Sequence, residues 1–219
     1  MTALKETHIV IAEAEPVTRL GLLHLINKEP SLRVCGEAAC LPDARELCAK
    51  HQPGVVVFDL ALGDGLGFIK DLAQWSPRTR VVIYTGLMDV VVLQRTFKAG
   101  ALGFVSRQDA AACLLTAIHG AVQGARHMSP RVENVVLGNL ATGALEVRGA
   151  RGEGLPALTI RELHTLRLLG RGLSNREIAA EMKVSIKTIE THCQRLKEKL
   201  HLHGSAALRQ YAAVQTMAG

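Results

Sequence analysis

Along the first half of the chain, short uninterrupted apolar runs alternate with longer stretches in which apolar positions recur every three or four residues. The runs are HIVIA (8–12), RVCGE (33–37), GVVVF (54–58), RVVIY (80–84) and LGFVS (102–106). GVVVF and RVVIY are continuous rather than alternating, the pattern of strands covered on both faces. Between the runs, VTRLGLLHLINK (17–28), PDARELCAK (42–50), FIKDLAQW (68–75), DVVVLQRTFKAG (89–100) and DAAACLLTAIHGAV (109–122) read as helices. Pro16 and Pro42 suit first turns, Asp89 an N-cap and Gly100 a C-cap. Five strand-then-helix units predict an α/β domain over 1–124: a five-stranded parallel sheet, doubly wound, with helices on both faces.

The pattern changes after residue 124. Segment 125–155 is glycine-rich and is expected to be a linker, with a short helix at about 129–140 followed by a flexible stretch, GALEVRGARGEG. From 156 to 219 only helical periodicity remains, which predicts a small all-α domain. Thr159 with Glu162 three residues on forms a candidate capping box for its first helix. Ser174 or Asn175 caps a short second helix. A three-residue turn, Lys183-Val184-Ser185, then leads into a third helix on which Ile189, Cys193, Leu196 and Leu200 form one buried stripe. A short helix, a tight turn and a polar-faced helix make a helix–turn–helix over about 174–193.

Charge sharpens this division. Residues 1–124 hold 12 Lys and Arg against 12 Asp and Glu; residues 125–155 hold 4 against 3; residues 156–219 hold 10 against 5. Nearly all of the formal net charge of +6 therefore lies in the helical domain, where nucleic acid is the usual reason for such asymmetry. A solvated basic face is the alternative. Five cysteines without a CxxC pair argue against a zinc or disulfide scaffold, so reduced thiols and a cytoplasmic location are expected. No apolar run approaches a membrane span of roughly 18–20 residues.

In an open parallel sheet the site lies at the carboxyl ends of the strands. Glu13 and Glu15 follow the first strand, Asp59 the third, Thr85 the fourth and Arg107 the fifth. Oxygen ligands for a hard cation, a hydroxyl and a guanidinium for phosphate oxygens thus meet in one crevice. Singly, each has a plainer explanation: Asp59 as a helix cap, Thr85 as a turn residue, the glutamates and Arg107 as solvated charges. In the helical domain, Glu190, Thr191 and Gln194 suit base edges, and Arg176, Lys183, Lys187 and Arg195 suit phosphates, with Thr188 beside them at the helix start. His192 reads as a packed or capping residue rather than a ligand.

IVIAEAEP, VVVFDLALGDG, VVIYTG and GALGFVSR resemble the receiver domain of bacterial two-component response regulators. The resemblance implies a flavodoxin-like fold, a sensor histidine kinase as partner, Asp59 as phosphoryl acceptor, and Thr85 and Phe104 as switch hydroxyl and switch aromatic. LTIRE (158–162), GLSNREIA (172–179) and SIKTIETH (185–192) resemble the LuxR-type DNA-binding domain of the NarL/FixJ-type regulators. This second resemblance implies a non-enzymatic transcription regulator that binds double-stranded DNA as a homodimer; SAALRQYAAVQ (205–215) and the valine-rich helix at 89–98 are candidate dimer surfaces. The receiver pattern is broken at two places. The family's adjacent acid pair, which holds magnesium, is Glu13-Ala14 here, and its strand-five lysine is Arg107. With only Glu13 and Asp59 as natural ligands, magnesium is expected to bind weakly, and Arg107 is expected to pair with Asp59 or Glu13; the alternative is that Glu13 and Glu15 together hold the ion adequately. Control independent of phosphorylation is therefore an alternative, as is, more remotely, a metal-dependent phosphate-handling enzyme.

Overall fold

The computed structural model describes residues 6–141, 158–182 and 184–217. The chain divides into two compact units, residues 1–137 and 138–219. Each is taken by itself.

In the first unit, strands β1 (Thr7–Ala12), β2 (Leu32–Ala38), β3 (Val55–Phe58), β4 (Arg80–Thr85) and β5 (Gly103–Ser106) alternate with helices α1 (Pro16–Asn27), α2 (Leu41–His51), α3 (Gly65–Trp75), α4 (Val90–Ala99) and α5 (Ala111–Val122). All pairings are parallel, in the order β2-β1-β3-β4-β5, and a sixth strand, β6 (His127–Met128), extends the sheet beyond β5. Five strands were expected. The sixth was missed because two residues carry no periodicity, and it lies in the segment assigned to the linker. His127 N donates to Leu102 O (2.8 Å) and Ser129 N to Phe104 O (3.1 Å), while Ser129 Oγ accepts from Ser106 N (3.0 Å), so hydrogen bonds to β5 hold this strand. Helix α6 (Pro130–Ala141) follows, close to the expected 129–140. The flexible stretch expected after it lies outside the described residues.

The continuous apolar runs are explained by two covered faces. Ile9, Ile11, Val55, Val57, Val82 and Val105 point to one side, where they pack with Leu22 and Ile26 of α1 and Leu114, Ala117 and Ile118 of α5. Phe58, of the opposite parity, stacks on Phe68 of α3 with ring centroids 4.9 Å apart. Gly103 is required by close approach: a Cβ there would stand 2.9 Å from a Val82 methyl and 3.4 Å from Ala117. The valines of α4 are not a free surface, since Val90, Val92 and Leu93 are buried in the core. Asp89 caps this helix, its Oδ1 accepting from Val91 N (2.7 Å) and Val92 N (3.1 Å). Asp89→Ala is expected to cost about 1–2 kcal/mol, read by urea unfolding of the receiver transition.

The second unit holds α7 (Ile160–Gly170), α8 (Asn175–Glu181), α9 (Ile186–Lys199) and α10 (Gly204–Met217). Leu166, Leu169, Ile178, Ile189, Leu196, Leu208 and Ala212 form its core, with Cys193 and Leu200 at its edge. The stripe expected on the third helix is thus buried. Leu208 and Ala212 of α10 serve this core too, so little of that helix's described apolar face remains for a partner. All five cysteines are free thiols; burial, and then neighbouring Cys35, pushes the Cys48 thiol up to about 12.

Candidate functional site

Parallel pairing puts the ends of β1, β3, β4 and β5 side by side, because the register aligns Ala12 with Phe58, Phe58 with Ile83 and Thr85 with Ser106. Thr85, the last residue of β4, and the residues that follow β1, β3 and β5 therefore enter a common crevice. Glu13 is 1% exposed and Asp59 3% exposed; Thr85 and Phe104 are fully buried. Asp59 N donates to Ala12 O (2.9 Å) and Arg107 N to Thr85 O (3.0 Å), which carries the strand ladder one residue into the loops.

Arg107 organises the crevice. Its Nη2 donates to Glu13 Oε2 and lies 2.7 Å from Asp59 Oδ2. Its Nη1 lies 3.6 Å from Glu15 Oε2, and the guanidinium carbon stands 6.0 Å from the centre of the Tyr84 ring. The expectation that Arg107 pairs with Asp59 or Glu13 understates the arrangement, since both are engaged by one nitrogen. Glu13's other oxygen, Oε1, accepts from Glu15 N (2.8 Å). Burial pushes the Glu13 carboxyl above the usual carboxylate range, the Glu15 N–H opposes this, Asp59 adds to it, and Arg107 pulls back. Thr85 turns its hydroxyl to its own loop, accepting from Leu87 N (3.3 Å).

One contributor escaped the sequence reading. Arg19 of α1 donates through Nη1 to Glu13 O (2.7 Å) and Ala14 O (3.3 Å), and its Nε lies 3.8 Å from Glu37 Oε2. It pins the backbone that carries Glu13. Its place one turn into α1, six residues after Glu13, is the only sequence signal.

The second unit presents a different surface. Two capping boxes start its first two helices. In α7, Thr159 N donates to Glu162 Oε2 (2.7 Å) and Glu162 N to Thr159 Oγ1 (3.2 Å). In α8, Ser174 N donates to Glu177 Oε2 (2.7 Å) and Glu177 N to Ser174 Oγ (3.3 Å), which settles Ser174 over Asn175 as the cap. Ser185 caps α9, accepting from Thr188 N (3.1 Å). The capping oxygens satisfy helix-end N–H groups, so each helix starts where these residues stand.

On α9 the apolar stripe faces the core and leaves Lys187, Glu190, Thr191, Gln194, Arg195 and Glu198 around an open surface depression. Arg176 is exposed at the start of α8. Lys183 lies outside the described residues. Two of the expected base readers are engaged locally: Thr191 Oγ1 donates to Lys187 O (2.9 Å) and Gln194 Nε2 to Glu198 Oε1 (2.8 Å). Thr188 is half-buried, and its hydroxyl pairs with Ser185 Oγ (2.8 Å), which makes it a capping residue first. His192 is half-buried; burial, and then the nearby Arg161, push its pKa below the ordinary value, so it packs as a neutral ring.

Residues 9–119 match the family model of the response regulator receiver domain, and residues 156–212 that of the bacterial regulatory proteins of the luxR family. The chain belongs to the LuxR-family response regulators. Among relatives, this response regulator is 27% identical over 207 residues to the oxygen regulatory protein NreC of Staphylococcus carnosus (strain TM300), covering 93% of this chain and 95% of that one. It is 27% identical over 208 residues to the transcriptional regulatory protein LiaR of Bacillus subtilis (strain 168), with the same coverage. Among solved structures, a LuxR-family two-component response regulator from Aurantimonas sp. SI85-9A1 matches with TM-score 0.59 and 29% identity, over 62% of this chain and 99% of that one. RcsB of Salmonella enterica serovar Typhimurium, solved bound to the promoter rprA in the presence of the phosphomimetic BeF3-, matches with TM-score 0.57 and 24% identity over 95% of this chain and 98% of that one; at that identity the likeness is one of fold.

Proposed function

We propose that this response regulator is a cytoplasmic transcription regulator that binds promoter DNA as a homodimer, with α9 in the major groove and the receiver as the controlling half. The observation that carries this reading is the outer face of α9. A capped helix, set against α8 by a buried apolar stripe, shows a row of long polar side chains in a segment, residues 156–219, whose Lys and Arg outnumber its Asp and Glu by 10 to 5. That is the geometry of a recognition helix, and the excess of cations supplies the attraction to phosphate. Lys187, Arg195 and Arg176 take the phosphate contacts, and Glu190, Thr191 and Gln194 the base edges. Regulation rather than catalysis is supported by the crevice, where Asp59, the carboxylate expected to be reactive, is paired with a guanidinium at 2.7 Å. Dimerisation is supported by size, because two half-sites multiply the small surface that one helix–turn–helix buries.

The test is fluorescence anisotropy on operators selected from a random-sequence pool. Gln194→Ala is expected to lower the preference at one base position by about 1–3 kcal/mol. The lower half of that range is favoured because the free side chain already bonds Glu198, so base reading exchanges one hydrogen bond for another. Lys187→Ala is expected to weaken all sequences alike and to reduce the salt slope by about one. An operator ranking untouched by Gln194→Ala, or a footprint of one half-site with a monomer bound, would contradict the assignment.

A further inference from the structure

The most unusual chemistry in the molecule is the single guanidinium among three acids at the strand ends. The family resemblance places a magnesium ion in this crevice, and the residues here do not fit one. Ala14, where a second acid is expected, offers no side-chain oxygen. Of Glu13's two oxygens, Oε1 accepts from Glu15 N at 2.8 Å and Oε2 accepts from Arg107. Asp59 Oδ2 lies 2.7 Å from the same guanidinium nitrogen. A divalent ion bridging these two carboxylates would compete with Arg107 for the oxygens it engages, and magnesium gives up its waters reluctantly.

We infer that Arg107 is the resident cation of this receiver: its guanidinium clasps Glu13 and Asp59 in place of a divalent metal, so that the crevice has little affinity for magnesium and Asp59 is a poor phosphoryl acceptor. Three features of the structure support a built clasp rather than a chance surface pair. Both acids are almost wholly buried, at 1% and 3% exposure, so they carry a large demand for a partner. Arg19 holds the Glu13 and Ala14 carbonyls from below, fixing the loop that presents Glu13. The backbone N–H of Arg107 is bonded to Thr85 O at 3.0 Å, and Tyr84 lies under the guanidinium. The clasp is thereby tied to the end of β4. The planar fork adds what a compact ammonium lacks: while Nη2 engages Glu13 and Asp59, Nη1 stands 3.6 Å from Glu15 Oε2, so one group faces three acids. The receiver's state then turns on whether the clasp is closed or displaced, and on no metal. This deepens the regulatory reading above and depends on that reading only for what the clasp controls.

The test uses the full chain. Magnesium is titrated by isothermal calorimetry, since Trp75 sits at the C-terminal end of α3, the end away from the β3–α3 loop that follows Asp59, and would report poorly. The wild type is expected to show no saturation at millimolar magnesium and no phosphoryl mass gain after incubation with acetyl phosphate. The double variant Ala14→Asp/Arg107→Lys is expected to bind magnesium at least about tenfold more tightly, the scale on which ligand-supporting residues act. It is also expected to gain one phosphoryl group, and to lose that gain when Asp59→Asn is added. Millimolar magnesium binding with stoichiometric phosphoryl transfer in the wild type overturns the inference without any variant being needed. So does a folded double variant whose magnesium affinity equals that of the wild type. Operator binding is measured on the same samples without magnesium. Its absence in the wild type would refute the DNA-binding reading, whereas the clasp stands or falls on the calorimetry and the mass gain.

Discussion

Arg107→Met is expected to destabilise the receiver by roughly 3–5 kcal/mol, among the larger effects a single substitution produces. The methionine keeps the length of the stem and removes the charge. Glu13 and Asp59, 1% and 3% exposed, then face each other in the crevice without the cation that lies on both. The cost of breaking such a pair is chiefly the penalty of the charges left behind, not the attraction lost. Arg107's side chain is 23% exposed, so water can enter the space it leaves, which favours the lower end of the range. Arg107→Lys retains a cation and should recover much of the loss, though an ammonium lacks the second nitrogen that stands near Glu15. Calorimetry of the full chain, following the receiver transition, measures both variants. The same scans repeated with magnesium add a check: if the metal restores Arg107→Met to wild-type stability while leaving the wild type unchanged, cation and guanidinium compete for one place. Unchanged stability in Arg107→Met would mean that the ion pairs contribute nothing net.

Glu162→Ala is expected to cost the DNA-binding domain about 2 kcal/mol. The residue is 1% exposed and serves two elements: it closes the capping box of α7 with Thr159, and its Oε2 accepts from Lys199 Nζ (2.7 Å) at the end of α9. The cap contributes about 1 kcal/mol and the charge-assisted bond about as much again. That bond is discounted because Lys199 is 35% exposed and solvent screens it. Glu162→Gln retains the cap, since an amide oxygen also accepts from the Thr159 N–H, and should cost about half as much. Loss of the Lys199 link is also expected to loosen α9 against α7, lowering operator affinity without changing operator ranking.

The pH dependence of this site has a defined sign. Burial acts to raise the Glu162 carboxyl, but the bonds from Lys199 and Thr159 outweigh it and hold the group below its ordinary value of 4.5. A carboxyl with a lowered folded value stabilises the domain fully above the unfolded value, and that contribution is lost as pH falls through the folded one. The wild-type domain should therefore lose stability on acidification below about pH 4.5, and Glu162→Gln should lack that part of the slope. Parallel slopes for the two proteins would show that another group carries the acid sensitivity.

Much of this molecule is local and was therefore readable from the chain. Continuous runs such as GVVVF announce strands covered on two faces, and Asp89, Thr159 and Ser174 announce helix starts, because each works through neighbours within a few residues. The order of strand ends, with Glu13, Asp59, Thr85 and Arg107 each one step past or at the end of an apolar run, was enough to assemble the crevice. So were the two departures, Ala14 and Arg107. Other features depend on distance in sequence. That one guanidinium nitrogen engages both Glu13 and Asp59 is a fact of three strand ends in register, with partners 94 positions apart in the longer pair. The Lys199–Glu162 link spans 37 positions and the brace from Arg19 falls across a helix–strand corner. Strand β6 exists only because β5 offers its edge. Likewise the valines of α4 read as a surface in sequence, whereas Val90 and Val92 proved to be core. Periodicity states which side of an element is buried; it does not state against what. Partners across the fold are chosen by the register of the sheet and the packing of helices upon it, and those exist only once the chain has closed on itself.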